Sequence, residues 1–77
     1  MTERQLREAE NKVLHSSNLM LGALGHLGQM ATDILGYEVV ADICNGSEIE
    51  FRPLDSYGVA DALVCISMED ILAELNR

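Results

Sequence analysis

The residues of this chain best suited to act on another molecule are carboxylates. Glu38, Asp42, Glu48 and Glu50 fall in one short stretch, and Arg52 is the base that follows them. Carboxylates can transfer protons or pair with Arg and Lys of a partner. Catalytic carboxylates need a cleft that separates their pKa values, and a small domain with few aromatic residues has little room for one. We therefore expect these four acids to bind a partner.

Other residue types that mark chemical sites are wrongly spaced here. On one helix, His15 and His26 would lie about 16 Å apart, too far to share a metal unless two chains each bring one histidine to a dimer axis. Cys44 and Cys65 have no partner at metal-site spacing, and we expect both to be buried apolar fillers. The glycines from Gly22 to Gly28 do not form a phosphate loop. We expect no metal, no cofactor and no enzymatic activity.

The charge balance narrows the class of partner. The chain has 13 acids and 5 bases, a net charge of −8, and all of this excess falls from Val13 onward. Nucleic acid and anionic membranes attract basic surfaces, so direct binding to either is disfavoured, whereas a basic protein is favoured. Acidity that serves only solubility is the alternative. The 77 residues form one domain, and without a signal segment we expect a cytoplasmic location.

The first segment predicts helix from Thr2 to Leu35, capped by Thr2 and ended by Gly36. Between Val13 and Thr32 there is no Asp, Glu, Lys or Arg. A surface helix would carry charges on its outer face, so we expect this helix to be covered on more than one side. Its polar residues argue against a transmembrane span. Apolar or small residues recur three and four positions apart: Leu6, Ala9, Val13, Ser17, Met20, Leu24, Leu27, Ala31 and Ile34.

Glycines interrupt this helix at Gly22, Gly25 and Gly28. Each costs about 1 kcal/mol relative to alanine in a helix interior, so either the helix breaks or a second backbone approaches closely. A continuous helix would be about 50 Å long, far more than the globule's expected radius of gyration of about 11–12 Å. We favour a break or bend near Gly25 and leave the continuous helix open. For a homodimer, the expected interface is Met20, Leu21, Leu24, Gly25 and Gly28.

A β-hairpin follows, with strands at 37–44 and 48–52. We expect every second residue to point inward: Tyr37, Val39, Ala41 and Ile43, which alternate with Glu38, Val40, Asp42 and Cys44. A loop of three residues, Asn45–Ser47, pairs Ile43 with Ile49 and Ala41 with Phe51, whereas a loop of two would mix the faces. The three-residue register also places Asp42 opposite Glu50. Such a pair of like charges is destabilising, and we interpret it as part of a functional surface.

The last third of the chain predicts a third strand and a closing helix. Pro53 ends the hairpin. The run Val59–Ile66 is ambiguous: within it, 62–66 is apolar enough for a buried strand, which we favour, and the alternative is the start of one long helix that runs to Leu75. Ser67 is a good N-cap for a helix that turns Ile71, Leu72 and Leu75 inward. The whole is an α+β fold: a long or broken N-terminal helix, an antiparallel hairpin extended to three strands, and a short C-terminal helix.

We conclude from the sequence that the protein is a non-enzymatic inhibitor or regulator. It would dock on a basic surface of a partner, one that itself can bind nucleic acid. In size, acidity and lack of catalytic motifs the chain resembles small acidic inhibitory proteins: antitoxins, immunity proteins and phage-encoded antagonists of host defence. The alternative is a structural or adaptor subunit that assembles through its glycine-rich helix. Salt distinguishes the two, because ionic docking weakens as ionic strength rises and an apolar seam does not.

Overall fold

The computed structural model describes residues 2–15, 20–44 and 48–77, with the side chains of all of these except Met20 and Leu21. It confirms the α+β fold. Three strands form an antiparallel sheet in chain order; the second and third helices pack against the sheet, and the first packs on the second. The elements are α1 (Glu3–His15), α2 (Met20–Leu35), β1 (Val39–Cys44), β2 (Glu48–Pro53), β3 (Ile66–Ser67) and α3 (Met68–Leu75).

The predicted long helix is two helices, but they do not separate at Gly25. The first helix, α1, ends at His15 and α2 begins at Met20, so Gly25 lies inside a continuous helix. The predicted break near Gly25 is therefore wrong in position; residues 16–19 lie outside the described part. Thr2 caps α1 as expected, because its hydroxyl accepts from the Gln5 N–H at 3.3 Å. No helix within the described residues has the length and apolarity that a membrane crossing requires.

The second helix runs along the free edge of β1. The Leu54 N–H donates to the Glu38 carbonyl at 3.1 Å. In an antiparallel pair only every second residue of a strand bonds to the neighbouring strand. The backbone N–H and C=O groups of Val39 and Ala41 therefore point away from β2. The Thr32 hydroxyl pairs with both Val39 groups, accepting from its N–H at 3.1 Å and donating to its carbonyl at 3.3 Å. Covering an edge in this way protects it from pairing with other chains.

Close packing at this edge depends on Gly28. A Cβ atom on Gly28 would lie 3.3 Å from the Ala41 nitrogen and 3.5 Å from the Val39 carbonyl oxygen. A Cβ on Gly25 would meet nothing within 4 Å. The close backbone approach that the glycines suggested is therefore made at Gly28, inside one chain, whereas Gly25 faces open space.

The hairpin register is confirmed. The Cα partners are Ala41–Phe51, Ile43–Ile49 and Cys44–Glu48, which leaves three intervening residues; Asn45–Ser47 themselves lie outside the described part. The strand β1 begins at Val39, two residues later than expected, and Tyr37 is 50% exposed instead of inward. Gly36 has φ +83° and directs the chain out of α2, so Tyr37 precedes the point at which the strand joins the sheet.

The core lies between the inner face of the sheet and the three helices. Phe51 on the central strand is fully buried, and Ile66 of β3 pairs with it. The buried residues are Leu6, Ala9, Val13, Leu27, Met30, Ala31, Val39, Ile49, Phe51, Met68, Ile71 and Leu72. Most of the predicted helical seam is therefore used within this chain, and the uncharged stretch of α2 faces its own sheet and α1.

The predicted third strand is present, but it is shorter than expected. Of Val59–Ile66 only Ile66 belongs to β3, Ala60 forms an isolated bridge with Leu54, and the other residues form a loop with Leu63 95% exposed. Asp55 and Asp61 hold this loop by accepting backbone N–H groups, which offers the backbone an alternative to sheet pairing. The predicted cap of the closing helix is confirmed, because Ser67 and Asp70 form a reciprocal capping box.

Candidate docking face

The outer face of the hairpin carries the predicted partner-binding acids. We call Glu38, Asp42, Glu48 and Glu50 the acidic face. Asp42, Glu48 and Glu50 alternate with the inward residues of β1 and β2, and Glu38 stands just before β1. Glu38, Asp42 and Glu48 are exposed, whereas Glu50 is half-buried. The structure therefore places all four as the pattern predicts, but it gives Glu50 different surroundings from the others.

Asp42 has one structural contact and remains exposed. Its Oδ1 atom accepts from the Ile43 N–H at 2.8 Å, a backbone group that points toward the free edge of β1. Asp42 and Glu50 are Cα partners, which in a hydrogen-bonded antiparallel pair are about 5.5 Å apart. The predicted juxtaposition of like charges is therefore present in the backbone register.

An ion pair with Arg52 compensates the charge of Glu50. Its Oε2 atom lies 3.3 Å from Arg52 Nη2, and the Glu50 and Arg52 side chains are only 20% and 28% exposed. The neighbouring Cys65 and Cys44 thiols and then the Arg52 charge lower the pKa of Glu50. The ion pair with Arg52 compensates for the facing carboxylate of Asp42 and makes Glu50 the least available of the four acids.

The structure corrects our expectation that both cysteines are buried. Cys44 is half-buried and Cys65 is exposed, so neither is the buried apolar filler that we expected. Hydrogen bonding to Glu50 and partial burial raise the pKa of both thiols, which keeps them protonated and poorly nucleophilic. The two cysteines lie on opposite sides of β2. Their Cα atoms are therefore about two strand spacings of about 4.8 Å apart, which is more than the Cα separation of about 7 Å that a disulfide can span.

Glu50→Gln should change how stability depends on pH. In the native protein the lowered pKa of Glu50 contributes stability above its ordinary value of about 4.3, and this contribution is lost as pH falls through the folded-state value. The raised pKa of the thiols acts oppositely: stability is lost as pH rises beyond their ordinary value of about 8.5. We expect the unfolding free energy of the variant to fall less steeply than that of the native protein, both toward acid and toward alkaline pH. The measurement is urea denaturation between pH 3 and 10.

Glu48→Gln is the matched control for that measurement. Glu48 is an exposed neighbour on the same strand, and no hydrogen bond or ion pair joins it to another residue within 2–15, 20–44 or 48–77. Its variant should retain the acid limb of the native protein. If Glu50→Gln and Glu48→Gln shift the acid limb equally, the assignment of the limb to the Glu50 contacts is wrong.

The predicted oligomer interface is occupied within the chain at two of its five residues. Gly28 packs on the backbone of β1, and Leu24 lies partly buried against the core. Gly25 is exposed, and the side chains of Met20 and Leu21 lie outside the described part. His15 and His26 are exposed on two different helices rather than on one. A homodimer through this helix stays a prediction, with fewer residues to build it than the sequence indicated.

The groups needed for metal chemistry do not converge in the described part of the chain. No set of three or more His, Cys, Asp or Glu side chains among those residues could hold a metal ion. Comparison with protein-family models, with curated proteins and with solved structures finds no match for this chain. Function must therefore be argued from the arrangement of its own residues.

Proposed function

We propose that this protein binds a basic surface of another protein through its acidic face and thereby inhibits or regulates that partner. One observation carries the proposal. Arg52, the base on this face, is already paired with Glu50 and with the Ala62 carbonyl. The exposed carboxylates of Glu38, Asp42 and Glu48 are consequently left without a neutralising base in the described part of the face.

Several other acids of the chain are paired with a base or complete a helix cap, whereas Asp42 accepts only the Ile43 N–H. Glu8 and Glu10 pair with arginines of α1, and Asp70 completes the cap of α3. Unneutralised acids gathered on one sheet face lower stability rather than raise it. Their grouping on one face is better accounted for by binding, because a field of one sign accelerates association with an oppositely charged partner.

The chemistry of the partner follows from the carboxylates. Arginine binds carboxylates through two parallel hydrogen bonds, and lysine binds them as a point charge. A surface rich in both is typical of proteins that hold nucleic acid, so a nucleic-acid-binding protein is the partner class we propose. The activity is stoichiometric binding and not catalysis. Two unpaired cysteines in a short chain suit a reducing compartment, and we place the activity in the cytoplasm.

The test compares two double variants of equal charge. Asp42→Asn with Glu48→Gln alters the acidic face, and the amide oxygen of the introduced asparagine can still accept from the Ile43 N–H. Asp33→Asn with Glu8→Gln alters the helices instead. Each changes the net charge from −8 to −6, since two acids are neutralised. A partner is first captured from native lysate on the immobilised protein at low salt, identified by mass spectrometry and purified for kinetic measurement by surface plasmon resonance.

We expect the acidic-face variant to lower the association rate about tenfold at low salt and to flatten its salt dependence, with little change in the dissociation rate. Both variants should melt close to the native protein, because surface changes rarely exceed about 0.5 kcal/mol. Equal kinetic effects of the two variants would show that overall charge acts without a defined face. Unchanged association by the acidic-face variant would remove this face as the interface.

A further inference from the structure

The loop between β2 and β3 exposes an unusual amount of apolar surface. In residues 54–65 the exposed large hydrophobic side chains are Tyr57, Val59, Leu63 and Val64, with Tyr57 89% and Leu63 95% accessible. The chain has only two tyrosines and one phenylalanine. A tyrosine that is almost fully exposed therefore leaves the small core with one aromatic side chain fewer. These four side chains fall within eight residues of the chain, and a gathering of exposed apolar residues is a candidate interaction surface.

The loop is held in shape by its own hydrogen bonds. The Asp55 carboxylate accepts from the Tyr57 and Val59 N–H groups at 2.8 and 3.0 Å, and the Asp61 carboxylate accepts from the Leu63 N–H at 2.9 Å. The Asp61 N–H donates to the Pro53 carbonyl at 2.9 Å, which ties the loop to the end of β2. Tyr57 and Leu63 are therefore presented from an ordered backbone, and an ordered loop loses less entropy on binding.

This loop adjoins the acidic face. Arg52 Nη1 donates to the Ala62 carbonyl at 3.0 Å while Arg52 Nη2 contacts Glu50. On the other side, Arg52 pairs in register with Val40, which is 38% exposed. Arg52 thus joins the apolar loop to the outer face of the hairpin, so that a partner on the acidic face would also meet the loop.

We propose that Tyr57 and Leu63 anchor the partner by entering an apolar pocket bordered by lysine and arginine, a role that rests on the proposed function. Charge complementarity selects this occupant: the pocket must be apolar where it meets the two side chains and basic where it meets the adjacent carboxylates. A second copy of the chain fits poorly, because each copy carries −8 and would bring like-charged faces together. Large side chains in desolvated pockets dominate binding energy at interfaces.

The test uses two fluorescent synthetic peptides that carry equal positive charge. Each has about 14 residues, a length that forms about four helical turns. One carries leucines on one helical face among its lysines, and the other carries serines in their place. Binding to the native protein is followed by anisotropy at low and at physiological salt. The variant Tyr57→Ser with Leu63→Ser preserves net charge, and Leu14→Ser, at a 37% exposed position on α1, is the control.

We expect the native protein to bind the leucine peptide at least about tenfold more tightly than the serine peptide, since burying such side chains is worth more than a factor of about ten. The loop variant should lose this preference and keep its affinity for the serine peptide. The control should keep both. Equal binding of the two peptides by the native protein, or equal losses in the loop variant and the control, overturns the anchor while leaving the acidic face in place.

Two further results separate this inference from the proposed function. If only the leucine peptide binds, and binding ignores salt, the loop is an anchor but the acidic face is not a docking site. If neither peptide binds, both ideas fail. Sedimentation and vesicle flotation test two other occupants. A dimer that disappears in the loop variant would mean that the loop binds a second copy of the chain. Binding to phosphatidylcholine vesicles that disappears in the loop variant would mean that it binds a membrane.

Discussion

Phe51→Ala is expected to lower the free energy of unfolding by about 3–5 kcal/mol, the usual cost of deleting a large buried aromatic side chain. Phe51 is fully buried on the central strand, in the cluster that joins the sheet to the helices. A chain of 77 residues has a total stability of about 4–12 kcal/mol at the usual 0.05–0.15 kcal/mol per residue. We therefore expect the variant to lose about a quarter of its stability at the least, and all of it at the lower end of that range, measured by urea denaturation followed by circular dichroism.

Tyr57→Ala is the control for the loss of an aromatic side chain. Tyr57 is 89% exposed, so its variant should stay within about 0.5 kcal/mol of the native protein. A cost below about 1 kcal/mol for Phe51→Ala, well under the usual range for such a deletion, would mean that the sheet does not pack on the helices as described. A comparable cost for Tyr57→Ala would mean that the loop packs on the core.

Gly28→Leu should be the second most damaging change. A Cβ at this position already lies 3.3 Å from the Ala41 nitrogen, and the remaining leucine atoms need room that the backbone of β1 occupies. Overpacking typically costs about 1–3 kcal/mol. Moving α2 away would also break the paired hydrogen bonds between Thr32 and Val39, so we expect the upper end of that range or more, measured as the shift in urea midpoint.

Gly25→Leu makes the same chemical change one turn earlier on α2. Nothing lies within 4 Å of a Cβ there, so the better helix propensity of leucine should stabilise the protein by up to about 0.8 kcal/mol. The sequence alone had indicated the opposite, a loss at Gly25 through disruption of a bend or of a close contact. Similar destabilisation by both variants would contradict the different surroundings that the structure assigns to the two glycines.

The sequence determined those features that depend on short-range patterns. Alternation with a period of two sets the hairpin register, because a slip of one residue would move the apolar side chains of Ile43 and Phe51 to the outer face. The cap at Ser67 needs only Asp70 three residues later. The placement of Asp42, Glu48 and Glu50 on one face follows from the same alternation, so the acidic face was predictable without a structure.

Only the tertiary structure decided how residues distant in the chain use these local patterns. The glycines of α2 look alike in sequence, and the edge of β1 distinguishes them by approaching Gly28 and not Gly25. The glycine spacing predicted a break near Gly25, whereas α1 ends at His15 and α2 begins at Met20.

The availability of each acid was likewise a tertiary outcome. Glu48 and Glu50 are both glutamates on the outer face of β2, yet Arg52 forms an ion pair with Glu50, and the Cys65 and Cys44 thiols lower the pKa of Glu50. The apolar run at Val59–Ile66 predicted a buried strand, but hydrogen bonds to Asp55 and Asp61 hold it as a loop with Leu63 outside. Periodicity describes which side chains share a face; whether that face is covered, neutralised or left to a partner depends on packing between elements, because burial and charge pairing are set by neighbours far away in the chain.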